Sequence, residues 1–179
     1  MNVLICYAST EGQTRKIARF CAHHLIAKGH SVEVISADDA QDLALEIFDA
    51  AILAGSVHVG KIQAELADFA AAHAGALNLR PSLYLQVSLA AASEDAKDLA
   101  DLKTIATEFC DTAGWTPGAV HQVAGAFRFS EYDFFRSWAM RWIASVKKQK
   151  IDPGKDTEYT DWPALAAALD DWLAAQVAP

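Results

Sequence analysis

Val3-Leu4-Ile5-Cys6-Tyr7-Ala8 runs straight into Ser9-Thr10-Glu11-Gly12-Gln13-Thr14, and the pattern beyond it turns helical. The apolar run reads as a buried strand over 2–8. The segment over 13–28 places Ile17, Phe20, Cys21, His24 and Leu25 on one helical face and ends at Gly29. Between them lies a hydroxyl-rich turn with a single glycine. At a helix N-terminus the first backbone N–H groups lack acceptors, and the helix dipole favours negative charge. Ser9, Thr10 and Thr14 add hydroxyl donors there, and Gly12 lets the backbone approach a ligand closely. The stretch therefore predicts a phosphate cradle that needs no lysine. Glu11 is expected to point to solvent, away from the anion.

The rest of the chain repeats the alternation. Ser31–Ile35 reads as an edge strand, and a short helix is expected from about Asp39 to Glu46. Ala50–Gly55, Leu83–Val87 and Val120–Phe127 read as strands. Helices are expected over 61–75, 94–113, 132–149 and 162–177, with Gly114 stopping the second of these. Strands alternating with helices imply an α/β fold whose parallel sheet is covered on both faces. With five strands, the doubly wound order 2-1-3-4-5 is expected. A chain of 179 residues fits a single domain, 1–179, with an insertion at about 128–160 between the fifth strand and the last helix.

Composition limits the function. Apolar residues make up 53 % and charged residues 21 %, as in ordinary globular proteins. A net charge of -8 argues against a general nucleic-acid binder. Cys6, Cys21 and Cys110 form no Cys-x-x-Cys pair and read as small core hydrophobes in a reducing compartment. No metal-ligand spacing occurs. A strand at the very start argues against a signal peptide, and no apolar run reaches the ~20 residues of a membrane span. The expected location is the cytoplasm, with peripheral contact at the inner face of the plasma membrane as a further option.

In an open α/β sheet, ligands lie beyond the carboxyl ends of the strands. Three loops meet there: Ser9–Thr14, Gly55–Lys61 and Ser88–Ser93. The second reads Gly-x-x-x-x-Gly-Lys, but Ile62 stands where a nucleotide-binding P-loop needs a Ser or Thr for magnesium. It is therefore expected to flank a ligand, with Gly55 and Gly60 allowing tight backbone conformations. His58 in this loop reads either as backbone shaping or as a polar contact. The other histidines read as surface or core filler.

The first loop resembles the FMN phosphate loop of flavodoxins, with Glu11 as a departure. Over nearly its whole length the chain resembles the flavodoxin-like, menaquinone-dependent protoporphyrinogen oxidases of bacterial haem synthesis. The resemblance rests on Ser9 to Ala18, Gly55 to Gly60, Ala124-Gly125-Ala126-Phe127-Arg128-Phe129 and Tyr159-Thr160-Asp161-Trp162. It implies a flavodoxin-like fold holding FMN. The implied cofactor residues are Ser9, Thr10, Glu11, Gly12, Gln13 and Thr14, then Gly55, Ser56, Val57, His58, Val59 and Gly60, then Ser88, Leu89, Ala90 and Ala91. It also implies oxidation of protoporphyrinogen IX to protoporphyrin IX with a quinone as acceptor. Arg128, Lys61 and Phe129 are the candidate substrate contacts, since the propionates of a porphyrinogen call for cations.

Electron-carrier flavodoxins usually cover the flavin with aromatic residues from the second and third loops. Here those loops carry none, which suits a substrate stacking on the ring. In the insertion, Phe134, Phe135, Trp138, Ala139, Trp142, Ile143 and Val146 fall on one half of a helix turned ~100° per residue. Most of the nearby arginines and lysines fall on the other half. Over 130–150 such a helix fits either a membrane or quinone surface or packing on the domain. A flavodoxin-type electron carrier and an NAD(P)H:quinone reductase remain the alternative functions, and oligomeric state stays open.

Overall fold

The computed structural model describes residues 1–127 and 157–177. Arg128, Phe129 and the helix expected over 132–149 lie outside them. The main sheet contains β1 (Asn2–Ala8), β2 (Ser31–Ser36), β3 (Ala50–His58), β4 (Lys61–Ile62), β5 (Ser82–Ser88) and β6 (Ala119–Ala124). Its order is β2-β1-β3-β5-β6, and all four neighbouring pairs are parallel. Counted over the long strands, this is the expected 2-1-3-4-5. The two-residue β4 folds back antiparallel on β3. The helices are α1 (Gln13–Ala27), α2 (Ala64–Ala72), α3 (Ala74–Asn78), α4 (Ala96–Ala113) and α5 (Trp162–Val177).

Side chains alternate across a strand, so each central strand feeds two cores. Val3 and Ile5 of β1 join Ile52, Leu83 and Leu85 beneath α1 and α5, where Ile17, Leu25, Leu165, Leu169 and Trp172 meet them. Leu4 and Cys6 point the other way, to Leu53 and Tyr84 beneath Leu66, Phe69, Leu77, Phe109 and Trp115. Burial on both faces explains the nearly unbroken apolar runs of β1, β3 and β5. All three cysteines are free and buried. Burial pushes the Cys21 thiol up to about 12. Burial, with Asp111 nearby, pushes Cys110 up to about 11.

Three local expectations are corrected. The helix expected from Asp39 to Glu46 is instead a chain of tight turns, in which Ser36 Oγ donates to Asp39 Oδ2 at 2.8 Å, followed by a 3-10 turn at Leu45–Ile47. So short a segment gains too few helical bonds to offset nucleation. The helix expected over 61–75 starts only at Ala64, because Lys61–Ile62 pairs with β3; it is interrupted at His73 and resumes to Asn78. The strand expected from Val120 to Phe127 breaks at Gly125. Beyond the break, β7 (Ala126–Phe127) pairs antiparallel with β8 (Thr157–Glu158) in a separate two-stranded ladder.

Candidate functional site

The first loop leaves β1 at Ala8 and enters α1 at Gln13. Gly12 sits in the left-handed region at φ 86°, a conformation that a side chain would disfavour. Its N–H donates to Ser9 Oγ at 2.9 Å, which tightens the turn and leaves the Ser9 hydroxyl hydrogen available. The helical bonding of α1 opens with Lys16 N–H to the Gly12 carbonyl at 3.0 Å. The N–H groups of Gln13, Thr14 and Arg15 therefore have no acceptor within the helix. Thr10 is exposed, while Thr14 is 1 % exposed in the first turn. Converging N–H groups, hydroxyls and a left-handed glycine fit the phosphate of FMN. The Gln13 side chain turns elsewhere, as described below, so its backbone N–H is what it offers to a ligand.

Glu11 corrects an expectation. Its side chain is only 20 % exposed, and its Oε1 lies 4.0 Å from His58 Nε2. The pair joins the first loop to the second. His58 thus has an acidic side-chain neighbour, which the sequence pattern did not reveal.

The second loop is a β-hairpin, so its Gly-x-x-x-x-Gly-Lys string builds no helix-capping cradle. His58 pairs with Lys61 across a two-residue turn in which Val59 has φ 50° and Gly60 has φ 75°. Positive φ at both positions is a type I′ turn, which favours Asn-Gly. Val59 is β-branched and 86 % exposed, so it carries the strain with little burial to offset it. Val59→Asn is expected to stabilise the protein by about 1 kcal/mol, read as a higher urea midpoint at unchanged slope. At the base of the hairpin, Gln63 Oε1 accepts Ser56 N–H at 3.0 Å, and Gln63 Nε2 donates to Ser56 Oγ. Gly55 has no positive φ; a methyl there would lie 2.6 Å from Leu66 Cδ2, so close packing is what requires glycine.

The third loop follows β5. Ser88 Oγ accepts the Ala91 N–H at 3.1 Å, and a 3-10 turn covers Ala90–Ala92. Leu89, Ala90 and Ala91 are half-buried. A cleft of about 500 Å³ opens between this turn and the segment 157–161, lined by Ala91, Ala92, Ala124, Glu158, Tyr159 and Thr160 among others.

That segment forms a strap across the carboxyl ends of the strands. Tyr159 N–H donates to the Gly125 carbonyl at 3.0 Å, and Thr160 Oγ1 donates to the Ala124 carbonyl at 2.7 Å. Gln13 Nε2 reaches across to Glu158 Oε1 at 2.8 Å and Thr160 Oγ1 at 2.9 Å. Lys16 Nζ pairs with Glu158 Oε2 at 2.7 Å and stands over the Trp162 ring at 5.1 Å. Asp161 Oδ1 accepts the Ala164 N–H at 2.9 Å and caps α5. The Tyr159-Thr160-Asp161-Trp162 motif is thus an anchor between sheet, α1 and α5. Pattern reading alone missed Glu158, which lies in no periodic stretch.

Desolvation pushes the Glu158 carboxyl up, but hydrogen bonds from Lys16 and Gln13 and the Lys16 charge outweigh it and hold the group below its ordinary value of 4.5. A depressed folded-state value contributes stability above the unfolded value and loses it as pH falls through the folded one. The clasp should therefore weaken only below pH 4.5. Glu158→Gln is expected to flatten the acid limb of urea stability measured against pH. Asp170, held low by hydrogen bonds from His24 and Lys28, preserves part of that limb in the variant.

Among the described residues, no helix is long and apolar enough to cross a membrane, and no three His, Cys, Asp or Glu side chains gather as a metal group. The chain is 27 % identical over 166 residues to a protein of Escherichia coli strain K12 named protoporphyrinogen IX dehydrogenase [quinone], covering 93 % of this chain and 91 % of that one. A Leishmania major protein of the same name is 27 % identical over 176 residues, covering 98 % of this chain and 76 % of its own. In architecture the chain is similar to a flavodoxin of Streptococcus pneumoniae, with a TM-score of 0.56, 18 % identity and coverage of 99 % and 100 %. It is also similar to an NADH:FMN oxidoreductase, with a TM-score of 0.59, 15 % identity and coverage of 97 % and 89 %. Residues 4–153 match the family described as flavodoxin domain. With this strand order and loop cluster, the chain belongs to the flavodoxin domain family, and its cofactor is FMN.

Proposed function

We propose that this protein is an FMN-dependent oxidoreductase that oxidises protoporphyrinogen IX to protoporphyrin IX and passes the electrons to a quinone. The observation that carries the reading is the make-up of the two loops that flank the ring. The hairpin Gly55–Ile62 and the turn Ser88–Ser93 contain no Phe, Tyr or Trp, and Lys61 stands exposed on the hairpin. Flanking loops without bulky rings, next to a cation, suit a broad anionic macrocycle better than an electron carrier's sealed flavin. The names of the relatives, spread over most of the chain, agree with it.

In this reading Ser9, Thr10, Gly12, Thr14 and the first-turn N–H groups of α1 hold the FMN phosphate. The hairpin Gly55–Gly60 and the turn Ser88–Ala91 flank the ring. Bound FMN supplies two-electron redox chemistry, by which the macrocycle is oxidised stepwise and quinone is reduced to quinol. Lys61, with Arg128, binds the substrate carboxylates. Phe129 and the segment 130–150 are the proposed contacts to the macrocycle, to quinone and to a membrane surface at the inner face of the plasma membrane.

The test is anaerobic turnover of protoporphyrinogen IX with menadione, read as porphyrin fluorescence. Wild type is expected to turn over, and Lys61→Ala and Arg128→Ala to raise KM with a smaller change in kcat. Protein that binds FMN yet leaves the porphyrinogen untouched would overturn the substrate assignment. Flavin bleached by NADPH alone would favour an NAD(P)H:quinone reductase.

A further inference from the structure

A continuous hydrogen-bond path runs from the end of the sheet to the start of α1. Ala124, the last residue of β6, accepts from Thr160 Oγ1 at 2.7 Å; Thr160 Oγ1 in turn accepts from Gln13 Nε2 at 2.9 Å. Gln13 is the first residue of α1 and directly follows Gly12. Both Gln13 and Thr160 are 8 % exposed, so their polar groups are shielded from water. Glu158 adds a second hold, accepting from both Gln13 and Lys16. Gly12 itself has no side chain to fix the turn. Torsional freedom at such a glycine is large. The Gln13 amide and the Lys16 ammonium tie the first turn of α1 to the strap.

We propose that Thr160 and Glu158 are positioning residues for the phosphate end of the cofactor site: acting through Gln13 and Lys16, they aim the free N–H groups of α1 at the FMN phosphate. This rests on the reading that Ser9–Thr14 is the phosphate cradle. Thr160 spends its hydrogen on the Ala124 carbonyl and a lone pair on Gln13, so one hydroxyl connects sheet to helix. Removing it leaves the half-buried Ala124 carbonyl and one N–H of the buried Gln13 amide without this partner, and the turn relaxes about Gly12. The strap also carries β8, which is paired to β7, so the closing of the ladder and the geometry of the cradle are coupled.

The test separates the phosphate from the ring. FMN and riboflavin are titrated into apoprotein by flavin fluorescence, for wild type and for Thr160→Val, Thr160→Ser and Glu158→Gln. Thr160→Val is expected to weaken FMN about 10-fold while riboflavin changes less than about twofold. Thr160→Ser keeps the hydroxyl and should bind FMN like wild type. Adding Gln13→Ala to Thr160→Val should cost no more than about a further twofold, as for residues acting along one path. Glu158→Gln, at the more exposed edge of the clasp, should weaken FMN about threefold and leave riboflavin alone; it carries the comparison if Thr160→Val does not fold. Equal losses for FMN and riboflavin, or no loss in any variant of a protein that binds FMN, would overturn the proposal. A wild type that discriminates neither ligand would bring down the cradle reading as well.

Discussion

FMN is expected to bind the double variant Thr10→Val, Thr14→Val roughly 30- to 1,000-fold more weakly than wild type, a loss of about 2–4 kcal/mol from two phosphate hydrogen bonds of about 1–2 kcal/mol each. Valine keeps the shape of threonine and removes only the hydroxyl donor and acceptor. Thr14 is 1 % exposed in the first turn of α1, so the exchange leaves its packing against the core largely intact. Thr10 is exposed, and its exchange should cost little stability. The urea midpoint of the apoprotein should thus move little while the FMN titration moves by orders of magnitude. A cradle made by backbone N–H groups alone would leave the titration unchanged, and that result would remove these hydroxyls from the site.

Trp115→Ala is expected to cost about 3–5 kcal/mol of folding stability, read by urea denaturation. The indole is 1 % exposed and sits edge-on to Tyr84 and Phe109 at ring separations of 5.9 and 6.2 Å. Its Nε1 donates to Ser82 Oγ at 3.2 Å, so truncation leaves both a cavity and a buried hydroxyl without its donor. Against a typical total of about 5–15 kcal/mol, that is a large share. Ser82 opens β5, at the end of the sheet away from the three loops. The folded fraction should therefore bind FMN with unchanged affinity. The two variants act at opposite ends of the sheet, one on ligand and one on fold.

The long strands were legible because burial on both faces leaves a continuous apolar run. Val3 and Leu4 show it: neighbours in sequence, they serve opposite cores, so no polar position interrupts them. The phosphate turn was legible because its chemistry is local, confined to residues 9–14. The strap was not. Gln13 and Glu158 are separated by 145 positions, and β7 and β8 have two residues each, too few for any period to emerge. Thr160 surfaced only through resemblance to a family, without a physical role attached. Glu11 was misread because a carboxylate beside an anion site was expected to turn outward; it lies instead beside His58, which the β3–β4 hairpin brings within 4.0 Å. The late start of α2 had the same origin, since alanine-rich sequence suits a helix and says nothing of Gln63 being engaged at Ser56.

The ladder between Ala126–Phe127 and Thr157–Glu158 works as a buckle. It is fastened to the sheet through Thr160 and to α1 through Glu158, so Phe127 and Thr157, distant in sequence, are held side by side.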